Sequence, residues 1–117
     1  MTLHVPYSVE NHDLFDHEMF GCMKQGACFI NTARGGLVDE TALLEALTTK
    51  HLKAAFIDVF KQEPLPKESA LWLLENIFIS PHMADSVHGF ERKYLDFFAM
   101  NLALWNKGQK IKNQLVL

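Results

Sequence analysis

Very little in this chain points to a metal, a membrane or a nucleic acid. Its 117 residues hold only two cysteines, Cys22 and Cys28, which is too few for a disulfide framework. Together with His12 and His17 they match no recurrent zinc-ligand spacing, so two reduced, inert thiols and no metal are expected. No apolar run approaches the roughly 18 residues that would span a bilayer. The opening "MTLHVPYSVE" (1–10) lacks a basic region followed by an apolar one, so no signal peptide is visible and the expected compartment is cytoplasmic. A formal charge of −3 gives no reason to invoke nucleic acid or an anionic membrane as partner. Repeats, low-complexity tracts and charge blocks are absent as well. What remains is ordinary for a globular domain, with 49% hydrophobic and 21% charged residues in a chain of single-domain size.

The strand candidates are short apolar runs: "LHV" (3–5), "CFIN" (28–31), "AAFIDVF" (54–60) and "NIFIS" (76–80). None alternates cleanly between apolar and polar, the pattern of strands covered on both faces of a parallel sheet. Helical patterns lie between them. That at 16–24 is weak and broken by Gly21. That at 39–51 is strong, with Asp39 as cap, Glu40 in the first turn and Leu43, Leu44 and Leu47 as its stripe. From about 86 to 107 runs a long helix with Phe90, Tyr94, Phe97, Phe98, Leu102 and Trp105 on a broad apolar face, expected to be core and stopped by Gly108. The order β-α-β-α-β-loop-β-α predicts an α/β fold with a parallel sheet. The proline-bearing loop at 61–72 stands where a short crossover helix is expected, and long loops of this kind are often functional.

In a parallel sheet the residues after each strand gather at one edge, where open α/β sheets bind ligands. Here that edge collects Pro6 and Ser8, then Thr32, Arg34, Gly35 and Gly36, then Asp58 and Glu63, then Pro81 and His82. Arg34 offers a planar fork of donors suited to a carboxylate. His82 can give or take a proton near neutrality, and Glu63 would favour its protonated ring if it reaches it. Each has a plainer reading: Arg34 as a solvated charge, His82 as the close of a loop, Glu63 as a surface carboxylate. Asp58, inside an apolar strand, is the hardest to dismiss, because an unpartnered buried carboxylate costs several kcal/mol.

At these residues the chain resembles the cofactor-binding domain of the D-isomer-specific 2-hydroxyacid dehydrogenases. The resemblance lies in "HVPYS" (4–8), "MKQGACFINTARGGLVDETALLEAL" (23–47), "AAFIDVFKQEPLP" (54–66) and "LWLLENIFISPHMA" (71–84). It implies the second half of a Rossmann-type doubly wound sheet, about four parallel strands with flanking helices, and 86–117 as a C-terminal helix and exit segment. It also implies an NAD- or NADP-dependent oxidoreductase that interconverts a small 2-keto acid, such as glyoxylate or hydroxypyruvate, and a D-2-hydroxy acid. On that likeness Arg34 grips the substrate, His82 exchanges a proton with its oxygen, and Glu63 pairs with His82. Asp58 would bond the nicotinamide carboxamide. Thr32 and Ala33 would lend backbone contacts to the nicotinamide side, Val5 and Pro6 would line the adenine-ribose end, and the stretch from His82 through Ala84 to Asp85 would approach the nicotinamide.

Three departures stand out. No G-x-G-x-x-G turn occurs in the 117 residues, and Gly35-Gly36 is not one. The substrate domain of that family has no counterpart here either. A fragment or gene remnant is therefore expected, one whose sheet lacks neighbours, and a homodimer or a partner supplying the missing half. The third is local: Asp85 adds a second carboxylate near the His82 position, and Asn11 stands where a threonine is common. A competing expectation is a non-catalytic remnant that serves as a dimerisation or scaffold module.

Overall fold

In a computed structural model, residues 1–86 and 88–113 are described, and they fall into two units, 1–84 and 85–117. The first unit is a four-stranded sheet in the order β1-β2-β3-β4, with every neighbouring pair parallel. Its strands are β1 (Thr2–Leu3), β2 (Ala27–Asn31), β3 (Leu52–Ile57) and β4 (Ile77–Ile79). β1 pairs only as far as Leu3 and leaves His4 and Val5 outside the ladder, since Pro6 has no N–H to extend it.

Two helices pack on one face of this sheet. α1 (His17–Gly21) starts where the Asp16 carboxylate accepts the Met19 N–H, and α2 (Glu40–Thr48) where Asp39 accepts that of Thr41. The buried face of α2 is Ala42, Leu43, Ala46 and Leu47, so two alanines share the stripe with the leucines and Leu44 sits at its margin. Phe15, Phe20 and Phe29 pack ring to ring at 5.1–5.6 Å, each burial contributing about 1.5–3 kcal/mol. The 61–72 loop carries a single 3-10 turn, Ala70–Leu73, and Trp72 Nε1 donates to the Pro66 carbonyl at 2.9 Å.

Two sequence expectations need correction. Within residues 1–84 the strands are covered on one face only: Phe29, Asn31, Ala55 and Ile57 point into the core, while Cys28, Phe56 and Phe78 are exposed. On that open face Phe56 and Phe78, directly paired in the register, stack at 4.6 Å. The runs look uniformly apolar, yet both helices of this unit lie on the same side. The second unit holds α3 (Phe90–Asn106), shorter than the predicted helix and with no buried residue. Its aromatic stripe is therefore not core, for Tyr94, Phe98, Leu102 and Trp105 are 48–69% exposed. Periodicity marks an apolar face but not what covers it. α3 ends at Gly108 (φ 66°), with the Gly108 N–H on the Trp105 carbonyl and the Gln109 N–H on that of Leu104, a paired C-terminal cap. No helix among the described residues is long and apolar enough to cross a membrane.

Candidate active site

Because all four strands run parallel, the segments that follow them meet at one edge of the sheet. A cavity of about 980 Å³ opens there, lined by Val5, Pro6, Thr32, Ala33, Arg34, Glu63 and His82 among others. A second cavity of about 420 Å³ shares Glu63 and His82 and is otherwise largely apolar, with Leu65, Trp72 and Ile79. Asp58 lines the smaller cavity and not the larger, and Ala84 lines neither. Asp85 is exposed and belongs to the other unit. The residues lining these two cavities all lie within 1–84.

The turn that carries Arg34 is held from inside. Asn31, only 1% exposed at the end of β2, accepts the Ala33 N–H on Oδ1 and donates from Nδ2 to the Arg34 carbonyl, both at 3.0 Å. Gly35 follows, and its lack of a side chain is a packing requirement: a Cβ there would stand 2.0 Å from the Phe60 carbonyl carbon. At Gly36 it would meet the Tyr7 ring at 2.7 Å. These two glycines let backbone and ring approach the turn; they are not a phosphate cradle. The Arg34 guanidinium is exposed, and Nη1 donates to the Ala33 carbonyl at 2.6 Å, leaving its other donors to the cavity.

The same cavity is lined by a histidine–carboxylate pair. His82 Nδ1 lies 2.7 Å from Glu63 Oε2, while Glu63 Oε1 accepts the Phe60 N–H at 2.9 Å. These two bonds, that to His82 first, lower the Glu63 pKa below the usual carboxylate value. With Nδ1 engaged, Nε2 is the ring nitrogen left to exchange a proton. His82 adopts φ 52°, the left-handed region that costs a residue with a side chain about 1–2 kcal/mol.

Asp58 holds His82 in that conformation. The His82 N–H donates to the Asp58 carbonyl at 2.8 Å. The Asp58 carboxylate, in a residue only 3% exposed, accepts the Ser80 hydroxyl at 2.5 Å and the Met83 N–H at 2.9 Å on Oδ1, and the Ala84 N–H at 2.8 Å on Oδ2. Burial raises its pKa, but Ser80 and the two amides outweigh that and hold it below the ordinary value. One acceptor position remains on Oδ2.

The loop after β1 forms the remaining wall. Asn11 shapes it, accepting the Ser8 N–H at 2.7 Å and donating to the Pro6 carbonyl at 2.8 Å. Along it Tyr7 bonds His12 at 3.2 Å, His12 meets Asp13 at 3.2 Å, and Asp13 binds the Lys61 ammonium at 2.6 Å. Sequence reasoning passed over Asn31 and Ser80, although each gave a signal, a single polar residue at the end of an apolar run.

Such a site can grip a carboxylate beside a proton donor, and known proteins share its sequence and fold. Over residues 1–84 the chain matches the family model "D-isomer specific 2-hydroxyacid dehydrogenase, NAD binding domain". It is 46% identical over 88 residues to the (S)-sulfolactate dehydrogenase of Chromohalobacter salexigens, covering 75% of this chain and 28% of that one. With the glyoxylate reductase of Korarchaeum cryptofilum the identity is 36% over 109 residues, 93% of this chain and 33% of the relative. A crystal structure of a D-isomer specific 2-hydroxyacid dehydrogenase from Xanthobacter autotrophicus Py2, in complex with NADPH and MES, aligns at a TM-score of 0.81 and 35% identity, over 98% of this chain and 47% of its own. The parallel α/β sheet is thus the Rossmann-type fold expected from the sequence. The chain spans about a third of the length of these two curated relatives.

Proposed function

The chain belongs to the D-isomer-specific 2-hydroxyacid dehydrogenase family, and on that premise we propose that it carries the nicotinamide-side half of an enzyme reducing a small 2-keto acid to its D-2-hydroxy acid. The observation that carries the reading is the Glu63–His82 pair at 2.7 Å facing the same cavity as Arg34. Arg34 would release the Ala33 carbonyl and pair its guanidinium with the substrate carboxylate and keto oxygen, where negative charge develops. His82 Nε2 would deliver a proton to that oxygen, and Glu63 would hold the ring at Nδ1 and stabilise its charged form. The hydride that reduces the keto carbon is what a bound NADH or NADPH supplies.

The residues fit one end of such a dinucleotide. Val5, Pro6, Thr32 and Ala33 line the larger cavity beside Arg34 and His82, and the acceptor position left on Asp58 Oδ2 suits a carboxamide N–H. Gly35 and Gly36 offer nothing to the pyrophosphate, since Phe60 and Tyr7 close over them. A glyoxylate-like substrate accords with the name of the Korarchaeum cryptofilum relative, and a hydroxypyruvate-like one has the same 2-keto acid group.

The reading is tested by titrating isotope-labelled chain with glyoxylate, NADH and NADPH, following the amides of Ala33, Gly35 and Met83 and the Arg34 side chain by NMR. Glyoxylate should shift the Arg34 resonances, and Arg34→Ala should abolish the response. Silence at these positions up to about 10 mM of each ligand, an affinity weaker than about −3 kcal/mol, refutes the reading. One observation favours a second reading, a non-catalytic assembly module: the open sheet face with its stacked Phe56 and Phe78. A dimer in solution that ignores all three ligands supports that alternative.

A further inference from the structure

One peptide unit, between Phe60 and Lys61, joins the two halves of the site. It lies flat on Gly35: a Cβ at that glycine would stand 2.0 Å from the Phe60 carbonyl carbon, 2.1 Å from its oxygen and 2.5 Å from the Lys61 nitrogen. The turn carrying Arg34 is thus registered directly on this unit. The Glu63–His82 pair hangs one peptide upstream, because the Phe60 N–H, which belongs to the Val59–Phe60 unit, holds Glu63 and Glu63 holds His82. The Lys61 N–H of the unit itself is taken by Glu40 Oε1 at 2.8 Å, across 21 residues of sequence.

Glu40 is the first residue of α2, where an acidic side chain usually serves the exposed N–H groups of its own helix. Asp39 already caps that helix through Thr41, and Glu40 reaches across instead to the loop after β3. We propose that Glu40 is a positioning residue: by holding the Lys61 N–H it presses the Phe60–Lys61 peptide onto Gly35 and so fixes the Glu63–His82 pair relative to Arg34. The proposal rests on the reading of Arg34, Glu63 and His82 as the reacting set. A charge-assisted bond to a backbone N–H is stronger than a neutral one, so a carboxylate suits the post, although any acceptor of the same length can fill it.

The test compares Glu40→Ala with Glu40→Gln in the full chain, reading the titration of the Glu63 carboxyl carbon by NMR alongside the melting temperature. Both variants remove the same negative charge, which by Coulomb's law lowers the Glu63 midpoint in each. Only Glu40→Ala also frees the peptide and weakens the Phe60 N–H bond to Glu63, which raises it. The expected result is a Glu63 midpoint about half a pH unit higher in Glu40→Ala than in Glu40→Gln. If Glu40→Ala does not fold, Glu40→Asn, uncharged like Glu40→Gln but one methylene too short, should raise the midpoint relative to Glu40→Gln in the same way. Equal Glu63 midpoints, with only the melting temperature lowered, would mean that Glu40 merely stabilises the fold, and the proposal falls. The comparison needs no keto acid, so a chain that shows the coupling but ignores glyoxylate keeps Glu40 as the residue that fixes the Glu63–His82 pair and loses the proposed function.

Discussion

Replacing Asp58 by asparagine swaps one carboxylate oxygen for an NH2 group and removes the charge, with no change in size. In the native chain the carboxylate accepts three bonds, from Ser80, Met83 and Ala84, each worth about 1.5–3 kcal/mol when the acceptor is charged. The asparagine carbonyl can still serve Ser80 and Met83, but as a neutral acceptor worth about 0.5–1.5 kcal/mol each. Its NH2 then faces the Ala84 N–H, donor against donor, and that bond is lost. Ala84 is exposed, so water restores part of it, and the net cost is about 3–5 kcal/mol, against a total of about 5–15 kcal/mol for a domain. With a urea slope of about 1.5 kcal/mol/M, the unfolding midpoint should fall by about 2–3 M with the slope unchanged. With the Ala84 tether gone and those to Ser80 and Met83 weakened, the strain at His82 (φ 52°) is less well held, and the amide signals of His82, Met83 and Ala84 should move, although the His82 N–H keeps the Asp58 backbone carbonyl. A variant within about 0.5 kcal/mol of native, an ordinary surface effect, with those signals in place would refute the claim that Asp58 sets the His82 conformation.

The other predictions concern the same edge of the sheet. Gly35→Ala drives a Cβ to 2.0 Å from backbone that cannot yield and should cost more than about 3 kcal/mol by chemical denaturation. Gly36→Ala meets only the half-exposed Tyr7 ring and should cost about 1 kcal/mol; equal costs would contradict this reading of the turn. Asp58 and Glu63 both titrate below their ordinary values in the folded chain, so on acidification the unfolded state takes up protons first. Their stabilisation is present above about pH 4 and is lost as pH falls through the folded-state values. Urea midpoints measured from pH 6 to 3 should therefore decline, and less steeply in Asp58→Asn. Arg34→Lys keeps the charge and loses the fork, and should weaken glyoxylate binding about tenfold by NMR titration; unchanged affinity would mean that the guanidinium geometry is not used.

The parallel order of the strands was legible because every strand is a short apolar run followed by turn or polar residues, with a helix or loop long enough to cross over before the next. Element ends were read less well. Val59 and Phe60 continue the apolar run of β3, yet the ladder stops at Ile57, where Asp58 turns its carboxylate to the Ser80–Ala84 segment. The one-sided burial of β2 and β3 could not be read, since Phe56 and Phe78 are as apolar as Phe29 and only the placement of α1 and α2 separates them. For the same reason the stripe of α3 passed for core.

The contrast within the site has a physical origin. Arg34, Glu63 and His82 are chemically distinctive, and the strand ends that bring them to one edge can be counted in the sequence, so their convergence followed from residue type and order alone. Asn31, Glu40 and Ser80 act on other residues, and mostly on backbone: Asn31 on the Ala33 N–H and the Arg34 carbonyl, Glu40 on the Lys61 N–H, Ser80 on the Asp58 carboxylate. A bond to the main chain leaves no complementary side chain elsewhere in the sequence to betray it, and a glycine that admits a peptide plane looks the same as one that merely turns. Gly35 is the case in point. Between Arg34 and Gly36 it reads as flexibility, whereas in the fold it is the surface on which the Phe60–Lys61 peptide rests. Arg34 and the Glu63–His82 pair lie on either side of that contact between backbones, so a methyl group at Gly35 should disturb both at once.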